Sequence, residues 1–138
     1  MKTLTAAFLL FMASFSFGQT EQWTPINTTE GVEISFRYAD CEFNAGYDER
    51  RVLLKITNTT SDDAIIDWDT KIWYNGECHN CDRLYEMHKS IEIKAGETRK
   101  GVCSRTEEQS LYLFVDFVKE EANRVLTDFE LVNIQVTF

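Results

Sequence analysis

The stretch Val32-Glu33-Ile34-Ser35-Phe36-Arg37-Tyr38 decides the fold class of this 138-residue chain. Its apolar side chains occupy every second position and alternate with charged or polar ones. A period of two places successive side chains on opposite faces of an extended backbone, so that one face packs on a core and the other meets water. The stretch therefore predicts a half-buried β-strand.

The same alternation recurs along the chain and predicts seven strands. They begin near Val32, Val52, Ile66, Ser90, Thr98, Leu111 and Phe129. Turn residues between them predict two hairpins, one joining the first and second strands and one joining the fourth and fifth through Ala95-Gly96-Glu97. The sixth strand, residues 111–118, is apolar on both faces except for Asp116, which is typical of a central strand. Residues 118–126 show a competing helical pattern, which we interpret as a loop with at most one helical turn.

Seven short antiparallel strands with regular turns are typical of an all-β, two-layer sandwich. Trp68 falls on the third strand, and Tyr112 lies near the start of the sixth. On these residues, 31–138 resembles an immunoglobulin-like or fibronectin-III-like domain, where a buried tryptophan and a corner tyrosine occupy such positions. Phe114 stands where immunoglobulin domains place their second cysteine, so the inter-sheet disulfide is absent. The resemblance implies an architecture and not an activity.

The N-terminal end has a different pattern. Lys2 precedes an uncharged, mostly apolar run, and Ser16 and Gly18 are the small residues that signal peptidase inspects, so residues 1–18 are predicted to be a signal peptide. The apolar run is shorter than the roughly 20 residues that cross a bilayer. Residues 19–30 are polar and are predicted to be a lead-in to one sandwich domain at 31–138. We expect a secreted protein, extracellular or periplasmic, with no membrane attachment after cleavage.

The charge of the chain disfavours nucleic acid as a partner. Formal net charge is −9, and loss of Lys2 with the signal peptide makes it about −10. Phosphate backbones are bound by clustered Lys and Arg, whereas the longest basic runs here are the pairs Arg50-Arg51 and Arg99-Lys100. Excess negative charge keeps an exported protein dispersed.

Four cysteines, Cys41, Cys78, Cys81 and Cys103, indicate two disulfides in a small exported domain. If successive strands alternate in direction, all four lie at one end of the sandwich and should cluster there. We favour Cys41 and Cys103 each bonding one member of the Cys78/Cys81 pair. An intervening strand would separate Cys41 from Cys103 by roughly 10 Å, beyond disulfide reach. The alternative is Cys78–Cys81 with Cys41–Cys103.

The spacing Cys78-His79-Asn80-Cys81 also allows two other interpretations. Zinc could use these thiols with His79 and His88, although no second closely spaced cysteine pair is present. A thiol oxidoreductase would place this motif at a helix N-terminus within a βαβ unit, a pattern that does not surround it. With no Gly-x-Ser-x-Gly motif and only two histidines, the sequence predicts no enzyme and no cofactor.

The remaining candidate site is a surface patch. Trp73 has the opposite parity to Trp68 and is predicted to face outward, and His79 follows in the next loop. An outward aromatic on a strand can mark a ligand surface, so Trp73 and His79 form the predicted binding patch. We expect a binding or structural protein that recognises an extracellular protein or a glycan. Asn27-Thr28-Thr29 and Asn58-Thr59-Thr60 match N-glycosylation acceptors.

Overall fold

The computed structural model describes residues 21–106 and 108–138, so the predicted signal peptide at 1–18 lies outside the described residues. Within them the chain forms nine strands and two 3₁₀ turns, at Leu84–Met87 and Gln109–Leu111. The strands are β1 (Thr24–Thr29), β2 (Val32–Cys41), β3 (Glu49–Asn58), β4 (Ala64–Tyr74), β5 (Glu77–Cys78), β6 (His88–Ile93), β7 (Thr98–Lys100), β8 (Tyr112–Phe117) and β9 (Leu126–Thr137).

The strands form two antiparallel sheets. Sheet A has the order β1-β2-β3, with β7 and β8 following one another along the second edge of β3. Sheet B is built on β4, with β9 on one edge and β6 and β5 on the other. The predicted all-β, two-sheet architecture is confirmed, with nine strands in place of seven. None of the helices in the described part of the chain has the length and apolarity needed to span a membrane.

The two additional strands lack the alternating signal. β1 lies inside residues 19–30, predicted as a polar lead-in, and pairs with β2 from Thr24↔Phe36 to Thr29↔Val32. Its sequence is polar and mostly exposed or half-buried, so only pairing with β2 gives it a strand conformation. β5 is a two-residue strand joined to β4 by Asn75-Gly76. Both turn residues have positive φ (50° and 84°), the geometry of a type I′ hairpin that favours Asn-Gly.

The core lies between the two sheets and comes from the inward side chains of the alternating strands. Trp68 is 1% exposed, as the resemblance predicts for the third predicted strand. The other buried apolar residues of this core include Val32, Ile34, Val52, Leu54, Ile56, Ile66, Ile91, Ile93, Leu113 and Val115. Phe36 and Phe129 close one open side of the sandwich, with their ring centroids 5.1 Å apart.

The predicted second hairpin is wrong. β6 pairs with β4 in sheet B and β7 pairs with β3 in sheet A, so the turn at residues 94–97 carries the chain between sheets. Asn58 stabilises this crossover, because its backbone N–H donates to Glu97 O at 2.9 Å and its Nδ2 donates to Lys94 O at 3.3 Å. Asn58 is fully buried, which leaves no room for a glycan on its side chain in the folded protein.

The sixth predicted strand also differs from expectation. β8 was predicted to be central, but among the described residues it pairs only with β3 and lies at the edge of sheet A. Its apolar outer face is covered by loops instead of strands, as where Tyr47 packs on Phe117 with ring centroids 5.5 Å apart. Residues 118–125 form no helix, in agreement with their interpretation as a loop.

Candidate binding site at the CHNC loop

The four cysteines form two separate disulfides. Cys41 bonds Cys103 and Cys78 bonds Cys81, with Cα–Cα distances of 5.1 and 5.9 Å. The favoured pairing was therefore wrong and the alternative is present. Strand direction brings the ends of β2 and β4 to the same end of the two sheets, as predicted, but the described cysteines form one pair on sheet A and one on sheet B and not a single four-cysteine group.

Cys103 reaches Cys41 because the chain leaves sheet A after β7. Residues 102–106, the Cys103 strap, cross the outer face of β3, where Ser104 O accepts a hydrogen bond of 2.8 Å from Arg51. The departure point requires glycine, since a β-carbon at Gly101 would collide with the carbonyl of Leu111. The expected 10 Å separation assumed that Cys103 stayed in the plane of the sheet, and the strap crosses above that plane.

Arg51 is buried beneath the strap. Its side chain is 2% exposed, and its Nη2 lies 2.7 Å from Glu49 Oε2. The guanidinium also stacks on Tyr112, with Cζ 3.9 Å from the ring centroid. Tyr112 is the residue that the resemblance makes a corner tyrosine. Its ring packs against the guanidinium of Arg51. Arg105 of the strap packs on Phe43 at 4.2 Å, so the strap is held by stacking, an ion pair and the disulfide.

Residues 78–81, the CHNC loop, fill a gap along β4. β6 pairs with β4 as far as Asp69 and β5 pairs with it from Trp73, which leaves the backbone between them without a strand neighbour on that edge. Asn80 closes the gap, because its Nδ2 donates to Thr70 O at 2.8 Å and its Oδ1 accepts from Ile72 N at 3.0 Å. Asn80 is 1% exposed. The amide thus replaces a strand, and the Cys78–Cys81 disulfide closes the loop around it.

His79, between the anchored Cys78 and Asn80, contacts two side chains at the surface. Its Nδ1 lies 3.0 Å from Arg124 Nη2, and its ring meets Tyr74 edge-on with centroids 5.6 Å apart. Arg124 also stacks on Tyr74, with Cζ 4.4 Å from the ring centroid. These groups line a cavity of about 240 Å³ together with Asn75, Glu77 and Cys78. It is an open, polar site fixed on one side by a disulfide.

Asn75 positions the segment that bears Arg124. Its Nδ2 donates to Asn123 O at 3.0 Å, and its Oδ1 accepts from Val125 N at 3.1 Å, so the residues on both sides of Arg124 are held. Asn75 N also donates to Val125 O at 3.0 Å. The hairpin turn that links β4 to β5 therefore also anchors the loop that precedes β9. Sequence reasoning missed Arg124 because it lies 45 residues from His79.

Trp73 lies beside this site without lining its cavity. It is half-buried on β4, opposite Cys78 on one side and Asp128 on the other. Adjacent strand residues point to opposite faces, so Trp73 and Tyr74 face different ways. The cavity contains His79 and not Trp73, and a patch that combines the two stays a prediction.

His88 lies elsewhere, on the outer face of sheet B. Its Nδ1 is 2.9 Å from Asp69 and its Nε2 is 3.8 Å from Asp67. Hydrogen bonds from Asn133 and His88 hold the pKa of Asp69 below its usual range. The two histidines considered for zinc are thus not brought together, and the described residues contain no group of three or more His, Cys, Asp or Glu arranged to hold a metal.

Comparison with known proteins adds no relative. No protein-family model, curated protein or solved structure matches this chain at a significant level. The functional proposal therefore rests on the geometry of the CHNC loop and its neighbours.

Proposed function

We propose that the protein is an exported, non-catalytic binding module that recognises its ligand at the CHNC loop. Export is supported by the signal-like residues 1–18 and by the disulfide state of all four cysteines, since such bonds persist in oxidising compartments. The extracellular space and the periplasm both meet this condition. In either compartment the module acts as a rigid scaffold that presents ordered loops.

The proposal rests on one observation: His79 and Arg124 meet at 3.0 Å over Tyr74, in a cavity bordered by the Cys78–Cys81 disulfide. Neither side chain is needed to fill the core, and both are exposed. Loops that hold polar groups in fixed positions on a rigid sheet are typical of recognition sites. The neighbouring Asn80 and Asn75 anchor the backbone, so the exposed pair is free to contact a ligand.

The relation to immunoglobulin-like domains is proposed at the level of architecture. Two antiparallel layers and the buried Trp68 support it. The strand pairing differs from the expected order, because β6 joins β4 and β8 joins β3. A shared architecture of this kind accommodates many functions, so the proposed binding role does not depend on the resemblance.

Two alternatives are weaker on the same geometry. Zinc binding at the cysteines would need thiolates, and all four sulfurs are in disulfides. A thiol oxidoreductase would activate Cys78 at a helix N-terminus, whereas Cys78 lies in the two-residue strand β5. Zinc content and the rate of insulin reduction with the purified protein test both alternatives. Stoichiometric zinc, or turnover that Cys78→Ala abolishes, would contradict the non-catalytic binding role.

Ligand selection tests the binding role directly. Phage-displayed random peptides and a glycan array are screened against the mature, disulfide-intact protein. Binders are then compared between the double variant His79→Ala/Arg124→Ala and the control Lys94→Ala, which changes an exposed residue just after β6, beside the end of β4 remote from the CHNC loop. We expect ligands that lose affinity in the double variant alone. The proposal fails if the ligands obtained bind the double variant and the control equally well.

A further inference from the structure

We propose that the cavity of the CHNC loop binds a carboxylate, presented by an acidic side chain of a partner peptide, through Arg124 and the Nε2–H of His79. This inference rests on the proposed binding function and names its ligand chemistry. It depends on three features of the described residues, which are the unpaired charge of Arg124, the hydrogen-bond direction between Arg124 and His79, and the covering of Tyr74.

Arg124 is the exception among the arginines. The other six lie within 4.0 Å of a carboxylate oxygen, at distances between 2.7 and 3.5 Å. Arg124 forms no ion pair with any described residue, although the chain has 23 acidic residues against 14 basic ones. Its partners are the ring of Tyr74 and the ring nitrogen of His79. A positive charge held in place without a counter-ion, in a strongly acidic protein, is suited to an anionic ligand.

The contact between Arg124 and His79 fixes the protonation of the histidine. A guanidinium can only donate hydrogen bonds, so Nδ1 of His79 accepts and the ring proton lies on Nε2. His79 is then a neutral ring with one free donor. Arg124 uses one N–H on His79 and retains others for a ligand. The site thus offers two kinds of N–H donor, one cationic and one neutral, and the geometry is already formed without ligand.

The charge of the site favours a carboxylate over phosphate or sulfate. One guanidinium supplies one positive charge, and its planar fork matches the two oxygens of a carboxylate. Glu77 lines the same cavity, and its negative charge repels a doubly charged anion more strongly than a singly charged one. A singly charged, planar group is therefore the anion that this cavity accommodates best.

The same cavity favours a peptide over a sugar as the bearer of the carboxylate. Sugar rings in protein sites commonly pack on an open aromatic face, and such faces are large apolar contact surfaces. Tyr74, the aromatic ring of this cavity, is covered by Arg124 at 4.4 Å and contacted edge-on by His79. A volume of about 240 Å³ holds an acidic side chain and its adjoining backbone. We therefore assign an Asp- or Glu-containing peptide as the ligand.

Titrations followed by NMR test the assignment. The full mature chain with both disulfides is titrated with acetate, sulfate, N-acetyl-Gly-Asp-Gly-amide, its Asn counterpart and sialyllactose, while side-chain ¹⁵N signals of His79 and Arg124 are recorded. We expect saturable shifts with acetate and the Asp peptide, and weaker effects of sulfate and sialyllactose. Arg124→Gln should weaken the Asp peptide about tenfold, the loss expected for one charge-assisted hydrogen bond. Arg50→Gln, at an exposed arginine already paired with Asp40, should leave it unchanged.

Several results would overturn the carboxylate assignment. These are equal shifts from the Asp and Asn peptides, full affinity in Arg124→Gln, or a His79 signal of the Nδ1–H tautomer. Tighter binding of sialyllactose than of the Asp peptide would overturn the choice of a peptide. The proposed function is tested separately: phage ligands that need the CHNC loop but carry no acidic residue retain the binding role and reject the carboxylate.

Discussion

Arg50 and Arg51 are adjacent in sequence but have opposite environments. The side chain of Arg50 is 42% exposed and pairs with Asp40 in solvent. The side chain of Arg51 is 2% exposed, between β3 and the Cys103 strap, and pairs with Glu49. The sequence shows them as one basic pair. The alternation of faces along β3 and the position of the strap make Arg51 a structural residue.

We predict that Arg51→Ala lowers the free energy of unfolding by about 3 kcal/mol, because it leaves Glu49 without its closest partner under the strap. Arg50→Ala is the matched control and should cost less than about 1 kcal/mol, as exposed ion pairs do. Urea denaturation of both variants measures the difference. Equal losses of unfolding free energy in the two variants would show that the buried ion pair of Arg51 stabilises the fold no more than an exposed pair does.

Asn80 gives a second prediction at this scale. Asn80→Ala removes both hydrogen bonds to β4 and leaves two buried backbone groups, Ile72 N–H and Thr70 C=O, unpaired. Each such group costs about 1–3 kcal/mol, so we expect a loss of about 3 kcal/mol in the free energy of unfolding.

Asn44→Ala, at an exposed loop position, is the control for this substitution and should change stability little. Thermal denaturation compares the two variants. Hydrogen exchange at Ile72 N–H should also accelerate in Asn80→Ala. An unchanged exchange rate would contradict the role of the Asn80 amide as a substitute strand.

At the scale of elements, the two disulfides close loops of very different size. Cys41–Cys103 spans 62 residues and attaches the strap to β2, whereas Cys78–Cys81 spans 3 residues within one loop. Restriction of the unfolded chain grows with loop length. The first bond therefore contributes mainly to global stability, and the second mainly to local order at the candidate site.

We predict that Cys41→Ala/Cys103→Ala lowers the free energy of unfolding by about 4 kcal/mol, and Cys78→Ala/Cys81→Ala by less than about 2 kcal/mol. Guanidinium denaturation of each double variant tests the order. The first variant should also expose Arg51, whose Nη1 donates to Ser104 O of the strap in the intact protein. A larger loss from the short loop would mean that local packing outweighs chain entropy.

The elements themselves were largely predictable from the sequence. Alternating polarity, as in β2 and β4, predicts a strand from local sequence, because one face of the strand is buried and the other is exposed to solvent. β1 and β5 were missed since the first has one large apolar residue, Ile26, and no alternation, and the second has two residues. Both become strands only through hydrogen bonds to a neighbour, which local sequence does not encode.

For the molecule as a whole, several surface carboxylates are stabilised in the charged form. Lys119, with help from the backbone N–H of Phe43, holds the pKa of Asp48 below its usual range. The backbone N–H of Ala95 and the side-chain ammonium of Lys94 lower the pKa of Asp63 in the same way. Lowered pKa values in the folded state mean that these groups favour folding above the unfolded pKa, and that this contribution is lost as pH falls through the folded pKa.

We predict that stability falls as pH is lowered below about 4, the unfolded pKa of aspartate. Denaturation at pH 7, 5 and 3 checks this expectation. Asp48→Asn should be less stable than the parent protein at pH 7, and the difference should shrink as pH falls through the lowered pKa of Asp48, where the parent loses the charge of this carboxylate. A difference that grows on acidification would contradict the assigned direction of the pKa shift.

The sequence by itself determined the all-β class, most of the strands and the disulfide state of the cysteines, because these depend on local alternation and on composition. The tertiary structure decided the disulfide pairing, the crossover at residues 94–97, the burial of Arg51 and the meeting of His79 with Arg124. The deciding contacts join residues that are distant in sequence, such as Cys41 with Cys103, Arg51 with Ser104 and His79 with Arg124. Their contacts depend on which sheet a strand enters and where a loop crosses it, and neither is set by the residues alone.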